Sequence, residues 1–288
     1  MRVWHDRSSA TCQDGCRSSP TYGSIRPVAS STSGCRRFAG RVALVTGAGA
    51  GIGRACVHRL AAEGAVVAAA DLDGAAADSV VAELSNRDDT PGHVAVRMDV
   101  TDRPSVEEAV ARVVERDGGL DVLVTVAGGD IAHGDIEHTD DDVWRRMLEL
   151  NLLGTVRTCR AAIPYLERSD RQPAIVMVSS VNALTGIGSE PYSSAKAGLG
   201  SLAQNLAVQL GPRGIRVNVV APGTIRTRVW DDQPGGADRM VPLYPLGRVG
   251  ESEDVAAAVA YLASSDAAWV TGITLPIDGG LLAGHRAP

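Results

Sequence analysis

"RVALVTGAGAGIG", residues 41–53, decides the fold. The run from Val42 to Val45 is apolar at every position. It therefore reads as a strand buried on both faces, which is the habit of parallel sheets. "GIGRACVHRLAAEG", residues 51–64, follows with helical spacing and stops at Gly64. The glycines between strand and helix do not fit G-x-G-x-x-G. A frame begun at Gly47 meets Ile52 where the third glycine belongs, and one begun at Gly49 meets Arg54. They fit T-G-x-x-x-G-x-G, with Gly47, Gly51 and Gly53. Glycines let a backbone approach a pyrophosphate closely, and the helix start offers unpaired N–H groups and the positive end of a dipole. Gly47, Gly51, Ile52 and Gly53 are thus candidate nucleotide-binding positions. A plain flexible turn is the bland alternative.

The alternation continues. "AVVAAAD", "HVAVRMDV", "LDVLVTVAG", "AIVMVSS", "IRVNVVAPG" and "GITLPIDGG" read as six further strands. Helical patterns separate them, among them a long one over about Asp141 to Leu166 and another through "PYSSAKAGLGSLAQNLAVQLG". Strands alternating with helices predict an α/β chain, a doubly wound, seven-stranded parallel sheet of Rossmann type with helices on both faces. The domain spans residues 39–288. Residues 1–38 are rich in Ser and Arg, lack apolar periodicity and read as a disordered or loosely attached extension. Their composition suits a GC-rich bacterial gene, or a start codon placed too far upstream, better than a transit peptide.

The chain has 288 residues, 44% hydrophobic and 22% charged, with a net charge of −6. This is an ordinary globular mix. An acidic chain gives no electrostatic reason to expect nucleic acid or an anionic membrane. No apolar run approaches the roughly 20 residues that cross a bilayer. Five scattered cysteines form neither a disulfide framework nor a metal motif, so free thiols in a cytoplasmic protein are expected, and no metal site.

Strand two ends at Asp71. A carboxylate there accepts hydrogen bonds from both ribose hydroxyls of an adenosine and repels a 2′-phosphate. Leu72 follows instead of Arg, and Ala50 stands in the loop where a base could have met that phosphate. The expected cofactor is NAD, with NADP disfavoured. Asp99 and Val100 end strand three, where the carboxylate meets an adenine amino group or merely caps the loop.

These residues, with Ala127-Gly128, Asn151, Ser179-Ser180, "YSSAK" at 192–196 and "PGTIRT" at 222–227, stand in the order of the short-chain dehydrogenase/reductase family, which residues 38–282 resemble. Tyr192 and Lys196 are i and i+4, hence on one helix face. Lys196 is the only lysine among 28 basic residues. A phenol titrates near 10 in water. An adjacent ammonium is expected to lower that value, and the resemblance implies that it also bonds the nicotinamide ribose. A planar guanidinium does not fit such a slot. The resemblance further implies that Tyr192 is the acid/base and Ser180 the group that polarises the substrate carbonyl. Ser180 is chosen over Ser179 because the second serine of such a pair usually holds the role. Asn151 matches a helix-kinking residue whose carbonyl holds a water next to the lysine. Pro222, Gly223, Ile225 and Thr227 match residues that touch the nicotinamide end.

Where the family has Asn-Asn-Ala-Gly, this chain has Thr125-Val126-Ala127-Gly128. The Thr125 hydroxyl is expected to tie neighbouring strands in place of the first Asn. Residues 226–249 resemble the mobile substrate lid, with Trp230, Met240, Leu243 and Tyr244 as pocket-lining or lid-packing residues. The reading is an NAD-dependent dehydrogenase or ketoreductase of small secondary alcohols, assembled as a homotetramer or homodimer. The alternative is a non-catalytic NAD-binding regulator or scaffold of the same fold.

Overall fold

The computed structural model describes residues 36–85, 92–231 and 233–284. Its strands are β1 (Val42–Thr46), β2 (Val66–Asp71), β3 (Val94–Arg97), β4 (Val122–Thr125), β5 (Ala174–Val178), β6 (Arg216–Pro222) and β7 (Thr274–Ile277). The helices are α1 (Gly51–Ala62), α2 (Gly74–Ser85), α3 (Arg103–Asp117), α4 (Asp141–Leu148), α5 (Gly154–Leu166), α6 (Glu190–Leu210) and α7 (Ser252–Ala263). The strands form one parallel sheet in the order β3-β2-β1-β4-β5-β6-β7, as the alternating pattern predicts. The order reverses between β1 and β4. Open parallel sheets bind their ligands in the crevice at the carboxyl ends of the strands beside such a reversal.

Every residue of β1 is buried, for a simple reason. Side chains alternate across a strand. Ala43 and Val45 join one core with Val57 and Leu60 of α1 and Val255 and Val259 of α7. Val42 and Leu44 join the other with Val110 and Val113 of α3, Leu166 of α5 and Leu199 of α6. A strand between two helical layers has no polar face to offer.

The folded body begins before residue 39. Phe38 is fully buried against α1 and α7, and Arg37 pairs with Glu63 at 2.6 Å and Asp266 at 2.9 Å. The expected boundary after residue 38 is therefore corrected: residues 36–38 belong to the packed body. The rest of the supposed extension, with Cys12, Cys16 and Cys35, lies outside the described residues.

Arginines also close the amino-terminal edge of the sheet. Arg41, just before β1, donates to Ala263 O at 3.1 Å. Arg216, at the start of β6, donates to Leu262 O at 2.6 Å and Ser264 O at 2.9 Å. These carbonyls end α7 and have no partner within the helix. A buried cation at a helix carboxyl end meets both the open acceptors and the dipole. Burial pulls the Arg41 guanidinium down to about 10, against the opposing pull of Asp121.

Candidate active site

The sequence-derived candidates gather along the carboxyl edge of the sheet. The glycine loop leaves β1 and enters α1 at Gly51. Gly47 and Gly51 have φ of +63° and +50°, where a side chain is strained. A Cβ on Gly53 would lie 1.9 Å from Gly47 O, and one on Gly47 would lie 2.8 Å from Ala127 N. Three glycines are thus required by the turn and by the next strand's loop. No side chain caps α1 at Ala50, so its first amides remain for an anion. Across the loop, Thr227 stands 3.2 Å from the Cβ position of Gly51, so the segment after β6 reaches over the cradle.

Asp71 ends β2 beside this loop. Its carboxylate accepts from Gly49 N at 2.8 Å and Asp73 N at 3.0 Å, one bond to each oxygen. Each oxygen keeps a further acceptor site for a ribose hydroxyl. Leu72 is exposed. Asp99 takes Thr101 N at 2.8 Å and the Thr101 hydroxyl at 2.7 Å on one oxygen, and those bonds hold its carboxyl below the usual range. Its loop-capping duty is plain, and the other oxygen bears no such bond. Val100 is buried against Gly154. Together, an uncapped helix start, glycines that admit no Cβ and a carboxylate at the end of β2 fit a dinucleotide.

The Thr125 expectation fails. Its buried hydroxyl has no hydrogen-bond partner among the described residues. The tie between strands comes from Thr46, opposite it on β1, whose hydroxyl accepts from Val126 N at 3.1 Å and Ala127 N at 3.2 Å. One neighbour already satisfies the loop, and Thr125 is left over. Thr125→Val keeps the shape and removes the orphan, so it should stabilise the protein by about 1–2 kcal/mol. A urea titration measures it, and a loss of stability would mean the hydroxyl has a partner after all.

Asn151 sits in a π-helical turn, Glu149–Leu153, joining α4 to α5. The predicted long helix is therefore one rod with a loosened turn. The Asn151 amide donates to Gly129 O at 2.9 Å and Met147 O at 3.1 Å, while its oxygen accepts from Gly129 N at 3.0 Å. The side chain thus pins the loop after β4 onto the rod. A Cβ on Gly128 would lie 2.6 Å from this amide oxygen and 3.0 Å from Lys196 Nζ.

Lys196 is buried, and its ammonium donates to Val178 O at 3.0 Å. The nitrogen lies 5.7 Å from the centre of the Tyr192 ring. The expected lowering of the phenol is not seen. Burial pushes Tyr192 up to about 12, with the Ser180 hydroxyl pulling down and the Asp130 charge pushing up. Burial also pulls Lys196 down to about 8. Desolvation opposes both charged forms and is the largest influence on each.

The two serines differ in what they touch. Ser179 donates to Lys196 O at 2.8 Å and serves the backbone. The Ser180 hydroxyl is near enough to the Tyr192 phenol to pull it down. Asn182 holds it, through its amide N–H at 3.2 Å and its side-chain oxygen at 3.0 Å. Asn182 escaped the sequence reading, although its place two residues after a serine is a turn signal.

The remaining candidates divide. Ile225 is buried, so its side chain faces the core. Pro222 ends β6, and Gly223 leaves room for Tyr244, whose ring and hydroxyl would lie 3.1 Å from a Cβ there. Tyr244 is itself buried and accepts from Thr224 N at 2.6 Å. It anchors the 226–249 segment to the body, and Trp230 and Met240 pack with it. Arg226 is held by Asp238 and Glu251, and Arg239 lies 5.4 Å over Trp230.

Residues 47–282 match the family model described as enoyl-(acyl carrier protein) reductase. The chain is 39% identical over 252 residues to (3R)-3-hydroxyacyl-CoA dehydrogenase of Rattus norvegicus, covering 85% of this chain and 97% of the relative. It is 36% identical over 254 residues to meso-2,3-butanediol dehydrogenase of Serratia marcescens, covering 88% and 98%. A solved short-chain type dehydrogenase/reductase from Mycobacterium ulcerans shares 32% identity with a TM-score of 0.81, covering 86% of this chain and 92% of that one. No described helix is long and apolar enough to cross a membrane.

Proposed function

Because the chain belongs to the short-chain dehydrogenase/reductase family of oxidoreductases, we propose that it interconverts a secondary alcohol and a ketone with NAD(H), using Tyr192 as acid and base. The observation that carries this reading is the placement of Lys196. The sole lysine of the chain is buried beside the tyrosine ring, and its ammonium, with three N–H donors, meets one acceptor among the described residues, Val178 O. Two donors remain for ribose hydroxyls. A buried cation left this open has no structural reason to exist.

When bound, the nicotinamide gives hydride to the carbonyl carbon or takes it back, and its oxidised ring adds a positive charge next to Tyr192. The residues do the rest. Ser180 donates to the substrate oxygen and fixes it against the phenol. In reduction, the phenol O–H breaks and its proton goes to that oxygen. In oxidation, the phenolate takes the proton from the alcohol. A high resting phenol, near 12, keeps the proton on Tyr192 at neutral pH and favours the acid role. Lys196 stabilises the phenolate once formed, and Asn151, in its π turn, holds a water that returns the proton. Gly128 stays a glycine because a Cβ there would crowd both Asn151 and Lys196.

NAD follows from Asp71. Asp71→Asn keeps one acceptor oxygen and removes the charge that repels a 2′-phosphate. The ratio of kcat/KM with NAD to that with NADP should fall about tenfold or more. An unchanged ratio would sink the assignment. The wider test is a screen of secondary alcohols for NADH formation, repeated with NADP. Turnover excludes the non-catalytic alternative.

Assembly and compartment belong to the same reading. Trp269 is fully exposed and Val208 of α6 is 80% exposed, so an apolar surface remains for a homodimer or homotetramer. Cys56 and Cys159 are free, and burial pushes both thiols up to about 12, which suits a reducing cytoplasm.

A further inference from the structure

At the start of α6, the helix that carries Tyr192, opens a cleft of about 840 Å³ formed by the loop after β4, the first residues of α6 and the 226–249 segment. Its ionisable lining comprises Asp130, Asp135, Glu190, His133 and His138, and no described lining residue is Arg or Lys. Asp130 is held in place. Ser189 donates to its carboxylate at 2.8 Å, and His133 Nε2 lies 3.1 Å from the same hydroxyl. The other His133 nitrogen is 2.7 Å from Gly134 O. Ser189 precedes α6 by one residue, so Asp130 is fixed to the helix that carries Tyr192.

We propose that Asp130 is a specificity-determining residue that makes this cleft reject anionic substrates and accept uncharged or cationic ones. The inference rests on the alcohol/ketone reading above and narrows it. The charged groups facing Tyr192 are Lys196 from α6 and Asp130 from the loop after β4, with uncharged Ser180 between β5 and α6. Lys196 is buried against Val178, behind the ring, and Asp130 is exposed in the cleft. Asp130 is tied through Ser189 to the start of the helix that carries Tyr192, and its charge pushes the Tyr192 phenol up. A substrate carboxylate or phosphate near its own carbonyl enters that same field. Of the arginines early in the 226–249 segment, Arg226 is engaged by Asp238 and Glu251 and Arg239 by Gln233 and Trp230, and Arg228 is not among the residues lining the cleft. Fixed like charges in a half-open cleft act as selection against the wrong ligand.

The test compares methyl acetoacetate, which is neutral, with acetoacetate, its carboxylate counterpart. Reduction by the full chain is followed as NADH or NADPH consumption. Wild type should favour the ester by about tenfold or more in kcat/KM at low salt, and the gap should narrow as salt screens the field. Asp130→Asn keeps an acceptor for Ser189 and should narrow the gap several-fold by raising kcat/KM for the acid. Glu190→Gln, further out on the rim, should narrow it less and serves if the first variant misfolds. Equal or better use of the acid by wild type overturns the inference and leaves the reaction class standing. So does a gap that neither variant changes. No reduction of either compound, with no turnover across the alcohol screen, overturns the reaction class and the inference with it.

Discussion

Tyr192→Phe is expected to lower kcat by about 10²–10⁴, the usual worth of a positioned proton donor or acceptor. Phe retains the ring that packs over Lys196 and deletes only the oxygen that meets Ser180. Stability should therefore change by less than about 1 kcal/mol, since one hydrogen bond is lost. Dinucleotide affinity, read by fluorescence titration, should stay within a few-fold. The pH profile separates this from a damaged fold. Burial holds the Tyr192 phenol near 12, so at neutral pH only a small fraction is ionised. Alcohol oxidation needs the ionised form and should rise with pH, while ketone reduction should stay flat until pH nears 12. In the Phe variant the residual rates should lose that dependence. A variant with a wild-type profile would remove Tyr192 from the proton's path.

Lys196→Met is expected to move activity and stability in opposite directions. Turnover should fall by at least about 10², because both the phenolate partner and the ribose donors vanish. The fold should gain. Burial pulls the ammonium from 10.5 down to about 8, so the folded state resists the charge that the unfolded chain carries freely. At about 1.4 kcal/mol per unit this is roughly 3–4 kcal/mol at pH 7. Losing the bond to Val178 O returns about 1 kcal/mol. The net gain is about 2–3 kcal/mol, or several degrees in Tm for a domain of this size. The lead should be complete below about pH 8, shrink from there to 10.5 and disappear above it. Across that window the unfolded wild type binds the extra proton, so wild-type stability rises with pH. Calorimetry of both proteins from pH 7 to 10 reads the effect. A less stable Met variant at pH 7 would mean that the ammonium is a structural group.

Much of this was legible in the residues. The apolar strands fixed the layers because a strand buried twice cannot hide its pattern, as β1 shows. Tyr192, Lys196 and the glycines were legible because spacing places them: i and i+4 on α6, and one turn between β1 and α1. What failed depended on competition between neighbours. Thr125 and Thr46 face each other across two strands, and only the three-dimensional packing decides which hydroxyl meets the loop amides. The direction of the Tyr192 shift turned on desolvation, which a linear spacing does not contain. Phe38 belongs to the core because of α1 and α7, which lie far along the chain. Asp130, Ser189 and His133 meet from two loops, so no local motif announces them.

The loosened turn at Glu149–Leu153 does one more thing. It carries a surplus residue, and a surplus residue rotates all that follows by about 100° around the axis. The first half of the rod can then face α6 while the second half faces α3. A deletion that healed the turn into regular helix would leave each half pointing at the other's neighbour. One added amino acid thus lets a single continuous rod serve two partners that a straight one would have to choose between.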